Sequence, residues 1–320
     1  MIAGRIGARA LIVTVTLNAA IDKTYTVEGF GLDRVHRPSV TKSVAGGKGI
    51  NVARVLRELG QDALATGFVG GTNGDQIIRG LDDEGLPHDF VRTEGESRLC
   101  IAIIDPEKGT QTEVNENGPD VSEAEVQALR EKLEALVPKS DYLVLSGSAP
   151  PGIPSDFYAE VIALAKNHGV KAVLDTSGNL LSRGGAAGPY ILKPNARELS
   201  SLKGRELLTV EEILGAAKSL LASKIEMVVV SMGRSGAIAT DGKESWQATP
   251  PEIEFVSAVG SGDALVAAFM DALIRGRGMR EALRWGTAAG AANAATYGAG
   301  FCKKEEIARL VDEVRLSPMD

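Results

Sequence analysis

The chain has 320 residues, 44% of them hydrophobic and 24% charged, as in ordinary soluble globular proteins. A net charge of −7 and an aromatic content of only 4% argue against a general nucleic-acid binder, an anionic-membrane binder or a base-stacking surface. Cys100 and Cys302 form no CxxC, and His36, His88 and His168 have no ligand spacing, which disfavours a disulfide scaffold or a His-rich zinc site and fits a reducing cytoplasm.

Arg5 and Arg9 precede ALIVTVTLNAA, which loosely resembles a secretory leader. Thr14, Thr16 and Asn18 interrupt the apolar run, however, and the stretch reads better as a first strand at 11–17. Residues 22–44 are polar and strand-prone without helical period. After Gly49, Val52, Val55, Leu56 and Leu59 trace one face of a helix. Strands are expected at 64–69 and 100–104, the second within another non-helical stretch, 88–118. The two stretches together suggest an antiparallel flap over one edge of a larger sheet.

Ser122 with Glu125 makes a capping box, as does Thr209 with Glu212, and Gly169 closes the helix through FYAEVIALAKNH. Further strands are expected at 142–146, 171–175, 190–193 and 227–231. Leu265, Ala268, Phe269 and Ala272 then give the stripe of a half-buried helix. This alternation predicts an α/β chain with a mostly parallel sheet covered on both faces. No linker divides it, so one domain over 1–320 is expected, and no run reaches the length needed to span a bilayer.

Two glycine-rich helix starts stand out. In VGSGDA, Gly260, Ser261 and Gly262 lead to Asp263; in AGGKGIN, Gly46, Gly47 and Gly49 surround Lys48. A helix start offers unpaired N–H groups and a partial positive charge, and glycine lets an anion approach closely. A carboxylate there suits phosphoryl transfer as the base that takes a hydroxyl proton, although an Asp at a helix start is often only a cap. Neither segment is a Walker A motif, since Gly49 stands where Ser or Thr would follow the lysine, and GSGD is not GxGxxG. Two such starts suggest one site with a nucleotide at one and a second substrate at the other.

The blocks TLNAAID (16–22), AGGKGINVAR (45–54), LSGSAPPG (145–152), LDTSG (174–178), KPNARELS (193–200), VVVSMGRSG (228–236) and VGSGDA (259–264) occur in an order that resembles the phosphofructokinase-B branch of ribokinase-like sugar kinases. SRLCIAIIDPEKGTQTEVNENGP resembles its 1-phosphofructokinase and tagatose-6-phosphate kinase subgroup most. The resemblance implies a three-layer α/β/α fold with a small β-sheet lid. It also implies ATP and Mg²⁺ as cofactors, a phosphorylated ketohexose as acceptor, and a homodimer through the lid.

Position by position, it implies Asp263 as base, with the N–H groups from Gly260 to Asp263 holding the phosphoryl group. Asp22, Gly46, Gly47, Lys48, Asn51 and Ser148 are implied at the sugar, and Arg98 and Arg37 at the acceptor's existing phosphate, which guanidinium forks suit. Lys193, Asn195, Ser231, Gly233 and Gly236 are implied at the nucleotide, with Asn195 and Glu198 at the metal. Asp175 is expected near this site in a role left open. Ala19, Ala149, Asn179 and Ala264 depart from common family residues without removing an essential group. The expected activity is conversion of fructose 1-phosphate to fructose 1,6-bisphosphate. Tagatose 6-phosphate or fructose 6-phosphate as acceptor, an unphosphorylated sugar, and a non-catalytic sugar-phosphate sensor are the alternatives.

Overall fold

The structure is a computed structural model that describes residues 10–320. Arg5 and Arg9 lie outside the described residues. The chain begins with β1 (Leu11–Thr16), leaves for β2 (Ala20–Thr26) and β3 (Val40–Gly46), and returns through α1 (Lys48–Glu58), β4 (Asp62–Gly70), α2 (Gly71–Asp83) and β5 (Val91–Thr93). It leaves again for β6 (Arg98–Asp105) and β7 (Thr110–Asn115). The run α3 (Glu123–Leu136), β8 (Tyr142–Ser146), α4 (Phe157–Asn167), β9 (Lys171–Asp175), α5 (Gly178–Ala186), β10 (Ile191–Leu192), α6 (Ala196–Lys203), α7 (Val210–Leu220) and β11 (Met227–Ser231) follows. Then come β12 (Ala237–Thr240), β13 (Ser245–Thr249), α8 (Ser261–Ile274), α9 (Met279–Ala294), α10 (Lys304–Val311) and β14 (Arg315–Pro318).

Among the described residues, ten strands form one sheet in the order β14-β13-β12-β11-β10-β9-β8-β1-β4-β5. The seven from β11 to β5 are parallel, and β12, β13 and β14 add an antiparallel edge. Alternation on β8 shows why helices cover both faces: Leu143 and Leu145 enter one apolar cluster and Val144 the other. The expected mostly parallel α/β sheet is therefore present.

The remaining strands make a separate sheet in the order β3-β2-β6-β7. It is mixed rather than antiparallel, because β2 and β6 each run outward from the main sheet and pair parallel, Asp22 opposite Cys100. The stretch expected as flap from residue 88 begins too early: Val91–Thr93 pairs with β4 in the main sheet, and the second lid segment starts at Arg98. The last helix expectation also changes. Val266, Ala267 and Met270 are as buried as the stripe through Leu265 and Ala268, because α8 packs between α1 and α9. Gly286 makes the close approach of α9 possible, since a Cβ there would stand 2.9 Å from the Leu265 carbonyl oxygen.

Candidate active site

The start of α8 is built without a side-chain cap. Gly260 is the N-cap at φ +81°, and a Cβ there would lie 2.6 Å from the Ala299 Cβ, so both conformation and space require glycine. Asp263 is the third helical residue and does not cap: its Oδ2 accepts a 2.9 Å hydrogen bond from Asn51 Nδ2. The N–H groups of Gly262 and Asp263 belong to the first turn, where no intrahelical carbonyl can take them. The expected anion hole is narrower than four amides, because Ser261 N–H already donates to the Ala258 carbonyl at 3.2 Å. Burial pushes the Asp263 carboxyl above its ordinary range, against the pull of Lys48 and the Asn51 hydrogen bond.

The start of α1 faces it. Gly47 is its N-cap, again with no side-chain cap, and α1 carries no acid in its first turn. A side-chain carbon on Gly46 would overlap the Asp22 carboxylate, which places Asp22 directly against the GGKG turn. Burial pushes the Asp22 carboxyl up to about 7, with Arg54 and Arg98 opposing and Asp263 adding to the rise. Asp22, Gly46, Gly47, Lys48, Asn51 and Asp263 thus meet, as the motifs imply.

Between the two starts stands a cluster of charges around the buried Asp175. Asp175, at the end of β9, accepts from Lys48 Nζ and lies 3.1 Å from both the Lys48 and Lys193 ammonium groups, all through Oδ1. Burial alone would raise the Asp175 carboxyl, but Lys193 and Lys48 outweigh it and hold it below the usual range. Lys193 is 3% exposed, and its Nζ would lie 3.6 Å from a Cβ on Gly262. The lysine expected at the nucleotide therefore stands beside the Gly260–Asp263 turn. Ser148 lies exposed in the loop after β8, whose Gly147 packs on the Lys48 side chain.

Asn195 and Glu198 are arranged differently from two oxygens aimed at a common ion. They form a capping box on α6: Asn195 Oδ1 accepts from Glu198 N–H, and Glu198 Oε2 accepts from Asn195 N–H, both at 2.8 Å. The second Glu198 oxygen remains, and its charge is felt by Lys48. Among the described residues no three His, Cys, Asp or Glu side chains gather as a metal cage. The one Glu198 carboxylate oxygen left by the capping box fits Mg²⁺, which takes one or two carboxylates and is otherwise held by water and phosphates. Ser231 bridges to Asn195 at the sheet end, and Gly233 and Gly236 shape the turn that follows.

Arg98 opens β6 beside Ala20 and donates from Nε to the Asn18 carbonyl (3.2 Å) and from Nη1 to the Glu116 carbonyl (3.0 Å). It lines an open cleft of roughly 670 Å³ with Glu96, Glu116, Asn117 and Asp120. Arg37 is not brought to it. It is exposed in the loop beyond the Thr26–Val40 pair, whereas Asp22 pairs with Val44, about 13 Å back along the strand. The lid lies close over the catalytic turn. Asp22, Cys100 and Asn115 of the lid and Val259 of the body line one narrow space between them. Gln111 Oε1 on β7 accepts from Ser257 Oγ (3.0 Å), and Lys42 on β3 donates to the Tyr297 carbonyl (2.6 Å), holding lid to body.

Two buried residues escaped the sequence reading. Asn293 on α9 donates to the Val259 carbonyl and accepts from Gly300 N–H, both at 2.7 Å, and so brackets the catalytic turn. Arg54 contacts Asn51. Its signal was available: a charged residue one helical turn after Asn51, inside an otherwise apolar face.

Residues 12–306 match the model of the family described as pfkB family carbohydrate kinase. A tagatose-6-phosphate kinase of Staphylococcus epidermidis is 35% identical, covering 96% of this chain and 99% of its own length. A 1-phosphofructokinase of Borreliella burgdorferi is 36% identical, covering 96% and 98%. Among solved structures, phosphofructokinase-2 from Escherichia coli, crystallised with substrates and products, superposes with a TM-score of 0.87 at 30% identity, over 96% of this chain and 99% of that one.

Proposed function

The chain belongs to the pfkB family of carbohydrate kinases and is a phosphotransferase of ribokinase-like fold, and on that premise we propose that it transfers the γ-phosphoryl group of ATP to a hydroxyl of a ketohexose phosphate, with fructose 1-phosphate as the leading acceptor. The observation that carries this reading is Asp263: a buried carboxyl, raised by that burial, at an uncapped helix start with Lys193 beside it. Asp263 takes the proton as the acceptor oxygen attacks phosphorus and the bond to ADP breaks. The Gly262 and Asp263 amides and the Lys193 ammonium face the charge that develops on the phosphoryl oxygens. Asp22 receives sugar hydroxyls, and Arg98 the acceptor's phosphate. Glu198, with Asn195 beside it, would hold Mg²⁺, which when bound offsets charge on the nucleotide phosphates.

The tagatose-6-phosphate kinase similarity, 35% identity against 36% for the 1-phosphofructokinase, favours tagatose 6-phosphate as the second reading. An ADP-release assay across fructose 1-phosphate, tagatose 6-phosphate, fructose 6-phosphate and ribose separates them. Turnover should be confined to the phosphates, and Arg98→Ala should raise their KM about ten- to a hundredfold with kcat little changed. Turnover of ribose alone, or of nothing, would overturn the proposal, the second result in favour of a sensor.

The lid leaves Leu32, Val35, Val40 and Val114 exposed, which supports its pairing with a second copy. Arg37, at the far end of its own hairpin, would then serve only a neighbouring site. Light scattering on the purified protein tests this: a dimer is expected, and a monomer at micromolar concentration would refute it.

A further inference from the structure

Arg54 has all five of its N–H donors engaged. Nε and Nη2 donate to Glu84 Oε2 (2.6 Å) and Oε1 (3.0 Å), Nη2 also to the Ala45 carbonyl (2.7 Å), and Nη1 to the Ala299 carbonyl (2.9 Å) and Asn51 Oδ1 (3.0 Å). The guanidinium also lies 4.3 Å from the centroid of the Phe301 ring. The side chain is 8% exposed. These partners are not scattered. Ala45 immediately precedes the Gly46–Gly47 turn, Ala299 is the residue that Gly260 packs against, and Asn51 is the partner of Asp263.

An arginine cannot accept a hydrogen bond, so the contact to Asn51 decides which end of that amide faces which neighbour. With Oδ1 turned to Arg54, Nδ2 must face Asp263, and Asn51 can only donate to it. With the amide reversed, Oδ1 would face the carboxylate and repel it. We propose that Arg54 is a positioning residue for phosphoryl transfer, holding the Asn51 amide in the donating orientation toward Asp263 while tying together the two glycine turns that form the site. This rests on Asp263 being the base.

The charged groups around Asp263 are Lys48 on α1, Asp175 on β9 and Lys193 after β10, with Asp22 on β2 also sensing its charge. Among the described residues none of these groups except Asp263 itself hydrogen-bonds Asn51, so the donor contact is separable from the general field. Arg54 also holds the Asp22 carboxyl down, so the test is read as the single-turnover rate at saturating nucleotide and acceptor. Lysine keeps the charge but lacks the planar fork.

In wild type the rate should fall as pH drops through the Asp263 titration, and in Arg54→Lys this acidic limb should move up by about one pH unit, a tenfold loss on the limb. Glu84→Gln, which keeps an acceptor for the fork, should leave the limb in place. An unmoved limb in Arg54→Lys, or an equal shift in both variants, would overturn the inference. The unmodified protein gives a second test: the Asn51 side-chain amide signals in ¹⁵N NMR should shift with the same midpoint as the limb, and signals indifferent to that titration would also overturn it. The two levels fail differently, since a wild-type rate with no acidic limb, or one that Asp263→Asn leaves intact, refutes Asp263 as base rather than the role of Arg54.

Discussion

The starts of α1 and α8 share one backbone device and differ in charge. Each is capped by a glycine at positive φ, Gly47 at +114° and Gly260 at +81°, and neither has a side chain on its first-turn amides. By contrast α3, α6 and α7 close theirs with capping boxes from Ser122, Asn195 and Thr209. A helix start left open costs roughly 1 kcal/mol of capping energy, which a ligand's anionic group can restore. The α8 start then carries a carboxylate, Asp263, and the α1 start an ammonium, Lys48. On the proposed reading each open start takes an anion, and the difference in charge makes one start the base and the other an electrostatic clamp, joined through Asp175.

Exchanging or deleting these charges should break the pair unequally. Removing the base is the largest change: Asp263→Asn should lower kcat by about 10²–10⁴ while calorimetry still detects nucleotide binding. Removing the cation is smaller. Lys48→Met leaves Asp175 with Lys193 alone and takes a positive charge from beside Asp263, and should lower kcat about 10- to 100-fold in the same steady-state assay. If Lys48→Met proved as damaging as Asp263→Asn, the division of labour between the two helix starts would be wrong.

The smallest effect concerns stability. The Asp22 carboxyl is raised from 3.8 to about 7 in the folded protein, so between those values the native state binds more protons than the unfolded chain. Stability contributed by this group therefore falls as pH rises through that window, and Asp263, also raised, acts in the same direction. Thermal unfolding followed from pH 5 to 8 should show this decline, and Asp22→Asn should flatten it by a few degrees at most. A steeper decline in Asp22→Asn would contradict the assignment.

Most of the frame was legible because it rests on local rules. Apolar β-type runs marked six of the seven parallel strands, all but β5, and Ser122–Glu125 and Thr209–Glu212 gave their capping boxes outright. The lid was harder. Its central pair, β2 with β6, joins segments about eighty residues apart in parallel, and nothing local in Ala20–Thr26 or Arg98–Asp105 sets that direction. Within the site, the residues carried by motif blocks converged, from Asp22 through Asn51 to Asp263. What escaped was the supporting chemistry. Asp175 was expected near the site, but its role became legible only where two lysines from distant segments meet it. Asn195 and Glu198 satisfy a metal motif and a capping box with the same spacing, and the fold shows the capping box formed. Arg54 needed β3, the end of α2 and the loop before α10 to fold around it before its five donors had meaning.

The most direct test of the central claim is ADP release with fructose 1-phosphate, measured side by side in the wild-type protein and Asp263→Asn. Robust turnover in the first and its near-complete loss in the second, with both variants folded and binding ATP, is the predicted result. Comparable turnover in both would contradict the assignment of Asp263 as the base.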